Sequence, residues 1–493
     1  MKEQSKLSKV LSILLSVVLV ISSFYLLYQV IRLNVLPSKF LFPLTIGVVV
    51  LDAIFILLLI YFSKNVVSKI VCIVLTLFIC VASCMGGYYI SKTQNVLSSI
   101  TNVAKHAKNT VSVIVKESSS IKNKSQLNGV SVGSLRLNEQ GSKKALKELS
   151  GEGIVLNQKE YDSMTALLEA FYNGDVDSII INESSRSQIL DMEAYSNFDS
   201  NTRVVYQTSY KVKNNDSATS VSDITSKPFN VLISGSDTRG GFDENGRSDV
   251  IMIATVNPKT HTILLTSVPR DFYVTTACDA GDGCMQGALD KITHTGIHGT
   301  NTTKRTVEQL LGIEINYTFK VGFDTVTELV DVLGGVDVYV EPGYATTTSQ
   351  FSVHEGVNHL NAEQALAFAR ERYSYTEGDR QRTKNQQQVL MGIVKEVTKP
   401  SVITNYAAIM DTMANTFSTT MSNAEITDLI KYQLNNNPTW KMEQYMVDGT
   451  GDTLMCAELG DAASVMVPDQ STVKMAKDKI NAVLAGKSSE DVK

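Results

Sequence analysis

Three apolar runs, residues 10–31, 41–62 and 66–90, restrict what this chain can become more than any other feature. Each is long enough to cross a hydrocarbon core of about 30 Å, which takes about 20 helical residues. The first is too long, and too closely followed by two others, to be a cleaved leader. Lys2, Lys6 and Lys9 precede the first run, Arg32 and Lys39 flank the first loop, and Lys64 and Lys69 border the second. The excess favours a cytoplasmic N-terminus by a small margin. A multi-pass membrane protein with three crossings then carries everything after about Lys92 outside the cytoplasm, where ATP is absent.

Within the second run stands Asp52. An acid at that depth is costly and is either functional or packed against a partner helix, and no partner is evident in the sequence. Of six cysteines, Cys72, Cys80 and Cys84 lie in the third run and read as packing residues. Cys278 and Cys284 can close a small loop by disulfide, which an exterior location permits; Cys456 makes the exterior count odd. The net charge of −5 offers no basic excess for nucleic acid.

The exterior part divides by composition. Residues 93–110 read as a polar link. Between 110 and 210, apolar runs at 111–115, 129–135 and 176–181 alternate with helical patterns at 139–149 and 163–172, as in a small α/β domain. The stretch ALLEAFYNGDVDSIII is similar to a helix–turn–strand unit of solute-binding folds, though a plain scaffold explains it as well. Residues 211–228 are rich in Lys, Asn, Ser and Thr with no apolar period, and read as a linker. The organisation is therefore a membrane domain over 1–96, an accessory α/β domain over 97–210, a linker over 211–228, a larger α/β domain over 229–486 and a disordered tail over 487–493. In the larger domain, strands are expected at 229–234, 250–256, 262–267, 317–321 and 336–340. Helices are expected at 303–311, 325–333, 362–372, 380–398 and 472–484.

The chemistry gathers in that larger domain. Between its first two strands lies GSDTRGGFDENGRSD, which holds Asp237, Arg239, Arg247 and Asp249 among glycines, and SVPRD adds Arg270. Carboxylates hold a hard cation through oxygen, and guanidinium forks match phosphate oxygens. In the stretch HLNAEQALAFARER, Asn361 and Gln364 form a capping-box pattern, Leu366 and Ala369 face a core, and Arg370 and Arg372 close the helix. Arg382, Gln386 and Val389 share one face of the next helix. Several inward arginines need an anionic partner, because a buried unpaired one is expensive. Two patterns are decoys. Gly486-Lys487-Ser488 lacks the earlier glycine of a phosphate loop, and His294 and His298 are spaced four apart without the glutamate of a zinc protease helix.

Taken together, GSDTR, GRSDVIMIATV, SVPRD, KITH, GGVDVYV, HLNAEQALAFARER and GDRQR, in that order, resemble the LytR-CpsA-Psr family. The three runs and the accessory domain look like its streptococcal capsule-locus branch, the CpsA or Wzg type. The resemblance implies an α/β/α sandwich with an apolar groove for a polyprenyl chain and a charged mouth for pyrophosphate. It implies that Asp237 and Asp249 assist binding of Mg2+ (or Mn2+). It implies that Arg247, Arg270, Arg370, Arg372 and Arg382 contact phosphate beside Gln386, with Arg239 in the same loop. Asn385 departs from the pattern, since many members have a second arginine there, and KITHTGIHGT is looser than usual.

Two functions follow from the resemblance. One is a magnesium-dependent phosphotransferase that moves capsular polysaccharide or a related wall polymer from a polyprenyl-pyrophosphate carrier to peptidoglycan. Asp237, Asp249, Arg247 and Arg270 would be its catalytic residues. The other is a non-enzymatic membrane regulator that binds lipid-linked glycan and signals to capsule-assembly membrane proteins. The first accounts for the clustered acids and arginines, and the second for three spans where one anchor suffices.

Overall fold

The computed structural model describes residues 6–62, 65–101, 106–136, 139–236, 244–279, 283–399, 408–410, 412 and 417–492. It falls into two compact units, the first made of residues 1–99, 397–414 and 422–439 and the second of the remainder.

In the first unit, the apolar runs form α1 (Lys6–Leu33), α2 (Ser38–Leu57, continued by a π-helical turn Leu58–Phe62) and α3 (Val66–Thr101). All three are long and apolar enough to cross a membrane. Helix α3 continues well into the stretch that reads as a polar link. Its hydroxyls bond back to their own helix, Thr93 Oγ1 to Tyr89 O at 3.0 Å and Ser99 Oγ to Val96 O at 2.7 Å. Val96, Leu97 and Ile100, at helical spacing, are buried, so an apolar stripe persists where the average composition turns polar. Asp52 does have a partner: Ser23 Oγ donates to its Oδ1 at 2.9 Å, which ties α2 to α1 and gives the acid a packing role. The unit also contains a helix that periodicity did not reveal, Asn423–Asn436, started by a Ser422–Glu425 capping box.

In the second unit, the accessory domain is a five-stranded mixed sheet of order β3-β2-β4-β1-β5. Its elements are β1 (His106–Lys116), β2 (Ser131–Leu135), α4 (Glu139–Gly151), β3 (Asn157–Tyr161), α5 (Met164–Asn173), β4 (Ser178–Asn182), α6 (Arg186–Asp191), α7 (Phe198–Asn201) and β5 (Thr202–Lys213). Helix α5 packs on Ile114, Ile179 and Ile181, and α4 on Val111, Val113, Val132 and Ile180. Successive residues of one strand thus feed opposite cores, and for this reason β4 reads as an unbroken Ile run. Gly174 closes α5 at φ +89, a left-handed position that suits glycine.

The larger domain is built on β6 (Phe229–Ser236), β7 (Val250–Asn257), β8 (Thr262–Ser267) and, after β9 (Tyr273–Thr275) and β10 (Leu289–Lys291), β11 (Tyr317–Gly322). Strand Phe417–Thr419 pairs antiparallel with β11 at one edge, and Lys441–Met446 pairs parallel with β8 at the other. Helix α8 (Thr300–Leu311) and the C-terminal helix Gln470–Leu484 bury Leu232, Ile251, Ile253 and Leu264 on one face. The other face carries α9 (Phe323–Leu333), α10 (Ala362–Arg370) and α11 (Asp379–Val397). An apolar cavity of about 70 Å³ lies there among Ile233, Met252, Leu366, Ala369, Val389 and Ile393. This is the expected α/β/α sandwich. Strands β6 and β11 are parallel neighbours, so the loop after β6 leaves their carboxyl ends, where ligands bind in open α/β sheets.

Three details differ from the reading of the sequence. Helix α10 ends at Arg370, two residues early, because Glu371 takes an extended ψ of 127. Much of residues 211–228 is anchored, with Thr219 N bonded to Asn316 O and Val221 N to the Tyr317 hydroxyl, both at 2.9 Å. The last residues are held too: Ser489–Asp491 form a 3-10 turn, and Ser488 Oγ and Ser489 N both reach the Glu443 carboxylate at 2.8 Å. Cys278 and Cys284 form a disulfide. Cys456 is a buried free thiol, which burial pushes up to about 11.

Candidate active site

Asp249 is the centre of the site. It is placed just before β7 by its own N–H, which donates to Gly235 O at 2.8 Å. Its neighbour Ser248 is fixed by a hydroxyl network with Ser234 (2.9 Å) and Thr303 (3.0 Å), and by a bond from its N–H to Thr293 O at 3.0 Å. Gly296 allows this close approach: a Cβ there would stand 2.5 Å from Gly246 O and from Ser248 N. The KITHTGIHGT segment therefore acts as the bed on which the acidic loop lies.

Arg270 Nη1 donates to Asp249 Oδ1 at 2.9 Å, and Thr293 Oγ1 reaches the same oxygen at 3.4 Å. Arg247 approaches it at 3.8 Å through Nε, while its Nη1 pairs with Asp191, at the end of α6 in the accessory domain. Arg270 also lies 3.8 Å from Asp271, which Lys291 meets at 3.3 Å. From α11, Arg382 pairs with Asp379 one turn back. Burial lowers the Arg382 pKa, and the nearby Arg270 and Arg372 lower it further, against the pull of Asp379 and Asp249. Burial also works against the charge of Arg270, but Asp249 and Asp271 outweigh it and hold its pKa above the usual value.

The donors are not used up. Arg247, Arg270 and Arg382 each keep a buried Nε–H with no hydrogen-bond acceptor among the described residues. Buried donors without acceptors cost about 1–3 kcal/mol each, more when charged. Three of them close to one carboxylate form a site short of an anion.

The structure thus brings together Asp249, Arg247, Arg270, Arg372 and Arg382. Arg372 is capped by the Tyr373 ring at 4.6 Å and the Tyr373 hydroxyl at 2.5 Å. Arg370 is exposed at the end of α10. Gln386 lines the apolar cavity with Leu366, Ala369 and Val389. Asp237 and Arg239 lie outside the described residues. Asn385 is buried and bonds Phe368 O at 3.0 Å and the Gln381 amide at 2.9 Å, so it joins α10 to α11. His294 and His298 turn to Asp290 (2.7 Å) and Glu458 (2.9 Å). The sequence reading missed Asp191, Asp379, Ser248 and Thr293. Thr293 was the most accessible of them, as the one hydroxyl inside the KITH stretch.

Among the described residues, no group of three or more His, Cys, Asp or Glu gathers to cage a metal. Magnesium held by one or two carboxylates together with substrate phosphates needs no such cage. Asp249 is the described carboxylate of the site that would serve a hard cation in that way, with its Oδ1 already engaged by Arg270 and Thr293.

The family model described as LytR_cpsA_psr family matches residues 194–482. A protein named polyisoprenyl-teichoic acid–peptidoglycan teichoic acid transferase TagU from Bacillus cereus (strain AH820) is 31% identical over 241 residues, covering 48% of this chain and 76% of that protein. One of the same name from Enterococcus faecalis (strain ATCC 700802 / V583) is 34% identical over 233 residues, covering 46% and 71%. Among solved structures, the crystal structure of B. subtilis TagU is similar at 28% identity and a TM-score of 0.40, covering 52% of this chain and 97% of that one.

Proposed function

The chain belongs to the LytR-CpsA-Psr family, and from that membership we propose that it is a membrane-anchored transferase. In this reading it moves a wall polymer, capsular polysaccharide given its three spans and accessory domain, from a polyprenyl-pyrophosphate carrier to peptidoglycan. The observation that carries the proposal is the set of buried guanidinium Nε donors around Asp249 that have no acceptor among the described residues. A pyrophosphate supplies the acceptors, with charge-assisted hydrogen bonds of about 1.5–3 kcal/mol each. The relatives' names, which describe transfer of a polyisoprenyl-linked teichoic acid to peptidoglycan, support the same class of reaction.

An acceptor hydroxyl attacks the phosphorus that bears the glycan. The new O–P bond forms, the bridging P–O bond breaks, polyprenyl phosphate leaves, and the hydroxyl proton passes to solvent. The energy comes from the pyrophosphate, which suits a compartment without ATP. Arg270 and Arg382 bind the phosphates and stabilise charge as it develops, with Arg247 and Arg372 at the edges. Asp249 is ion-paired to Arg270 and so is poorly suited as a base. Its role is to orient Arg270 and, with Asp237, to hold Mg2+ or Mn2+, which when bound supplies charge neutralisation at the phosphates. The cavity beside Gln386 receives the first part of the isoprenoid chain. At about 70 Å³ it has to widen, by movement of α10 or α11, before a chain can enter.

The membrane reading adds an orientation, with the N-terminus cytoplasmic and the large domains outside. The test is full-length protein with a polyprenyl-pyrophosphoryl oligosaccharide, magnesium and peptidoglycan fragments, read by mass spectrometry of the acceptor. Magnesium-dependent linkage is expected. Tight lipid binding without linkage would favour the regulator.

A further inference from the structure

The first unit contains a cavity of about 610 Å³, apart from the charged site and its apolar annex. It is formed where α1 ends and α2 begins, with Ile90 of α3, residues 397–399 and one face of helix Asn423–Asn436 completing the wall. Ten of its fifteen lining residues are Val, Leu, Ile or Phe, so it suits hydrocarbon and not a sugar. It is partly open at its mouth and not an enclosed void, and it lies among helices long and apolar enough to span lipid. Because 397–399 and 423–436 follow all three spans, the α1–α2 loop is on the same membrane face as the large domains. The cavity is therefore at the bilayer surface, where one end of a lipid is apolar and the other charged.

Its rim is cationic. Lys39 lines the cavity and donates to Asn435 O at 2.7 Å, and Lys431 donates to Asn34 Oδ1 at 2.8 Å. Both acceptors are neutral, and neither lysine is paired with a carboxylate among the described residues. The stretch from Arg32 to Lys39 has two cations and no acid. Basic residues at a membrane surface attract anionic headgroups.

We propose that this cavity binds one acyl chain of an anionic phospholipid, with Lys39 and Lys431 holding its phosphate. A methylene fills about the ~30 Å³ that a water molecule does, so the space accepts ~20 carbons, one long acyl chain. The volume also falls within the range of about 300–1,000 Å³ typical of sites for a single small ligand. The inference is independent of the transferase reading.

The test is native mass spectrometry of the full-length protein in a mild non-ionic detergent, with phosphatidylglycerol and phosphatidylcholine of identical chains at equal concentration. One phosphatidylglycerol retained at least fivefold over phosphatidylcholine is expected. The double variant Lys39→Gln, Lys431→Gln should lose that preference. Leu434→Trp, which narrows the cavity, should weaken retention of the lipid with helix content unchanged by circular dichroism. If that variant misfolds, the lysine pair alone decides. No retained lipid, equal retention of both headgroups by the unmodified protein, or unchanged preference in the lysine variant overturns the proposal.

Discussion

Asp191 of the accessory domain pairs with Arg247 of the larger domain, and Arg247 is 3.8 Å from the central Asp249. The accessory domain therefore contributes directly to the electrostatics of the charged site. Asp191 is more than half exposed, so the pair competes weakly with any anion that Arg247 binds. Such pairs contribute about 0.2–1 kcal/mol. Asp191→Asn should tighten binding of the pyrophosphate substrate by a factor of up to about 5, seen as a lower KM with kcat little changed. A weaker binding constant would mean that Asp191 positions Arg247 and does not mask it.

Arg270 and Asp249 are both largely buried, at 19% and 11% side-chain exposure. Removing either leaves the other charge in a poor solvent, so stability changes have to be separated from chemistry. Arg270→Ala and Asp249→Ala should each lower transfer at least tenfold, about 1.4 kcal/mol or more of lost transition-state stabilisation, while far-UV circular dichroism is preserved. Arg270→Lys keeps the charge but not the fork of donors that a phosphate can engage, and should recover only a small part. Full activity in both alanine variants would remove these residues from the mechanism.

The legible parts of the molecule were those in which one local signal and one tertiary demand coincide. The Asn361–Gln364 capping box is formed, Gln364 N to Asn361 Oδ1 at 3.0 Å, and the helix it starts presents Leu366 and Ala369 to the cavity as their spacing requires. The arginines of the site could be read because inward arginines demand an anion. Strand Lys441–Met446 could not: its sequence KMEQYM has little apolar signal and is a strand because of its pairing with β8. Strand β3, NQKEY, is an almost wholly exposed edge strand whose one hydrophobic side chain, Tyr161, sets no period to mark it. Asp191 was out of reach for another reason, since its contact depends on how two domains meet.

Asp216 is a half-buried residue whose Oδ1 is buried and has no hydrogen-bond partner among the described residues, and burial pushes its carboxyl up to about 6 despite Lys320, Asn214 and Lys304. An acid with a raised folded pKa binds more protons folded than unfolded between about pH 4 and 6. Its charge therefore costs nothing below about pH 4 and destabilises increasingly as pH rises through 6. Asp216→Asn should raise stability at pH 7.5 by up to about 3 kcal/mol, and the gain should vanish near pH 4. Denaturant midpoints at the two pH values measure this, and a variant less stable at pH 7.5 would show that the charged form has a necessary partner.

Glu443 depends on the end of the chain. It is 4% exposed, and burial alone would raise its pKa. Instead Ser489, Lys441 and Ser488 bond the charged form and bring it down to about 2. A depressed folded pKa gives stability that is present above the unfolded value near 4.3 and is lost as pH falls towards 2. Truncation after Lys487 removes both serine contacts and leaves a buried carboxylate held by Lys441 at 2.9 Å. Leaving a buried polar group short of partners costs about 1–3 kcal/mol. The truncated protein should unfold several degrees lower at pH 7, and the difference should shrink at pH 3, where the intact protein has begun to lose the same contribution. An unchanged midpoint at pH 7 would mean that the last turn adds nothing to the domain it rests on.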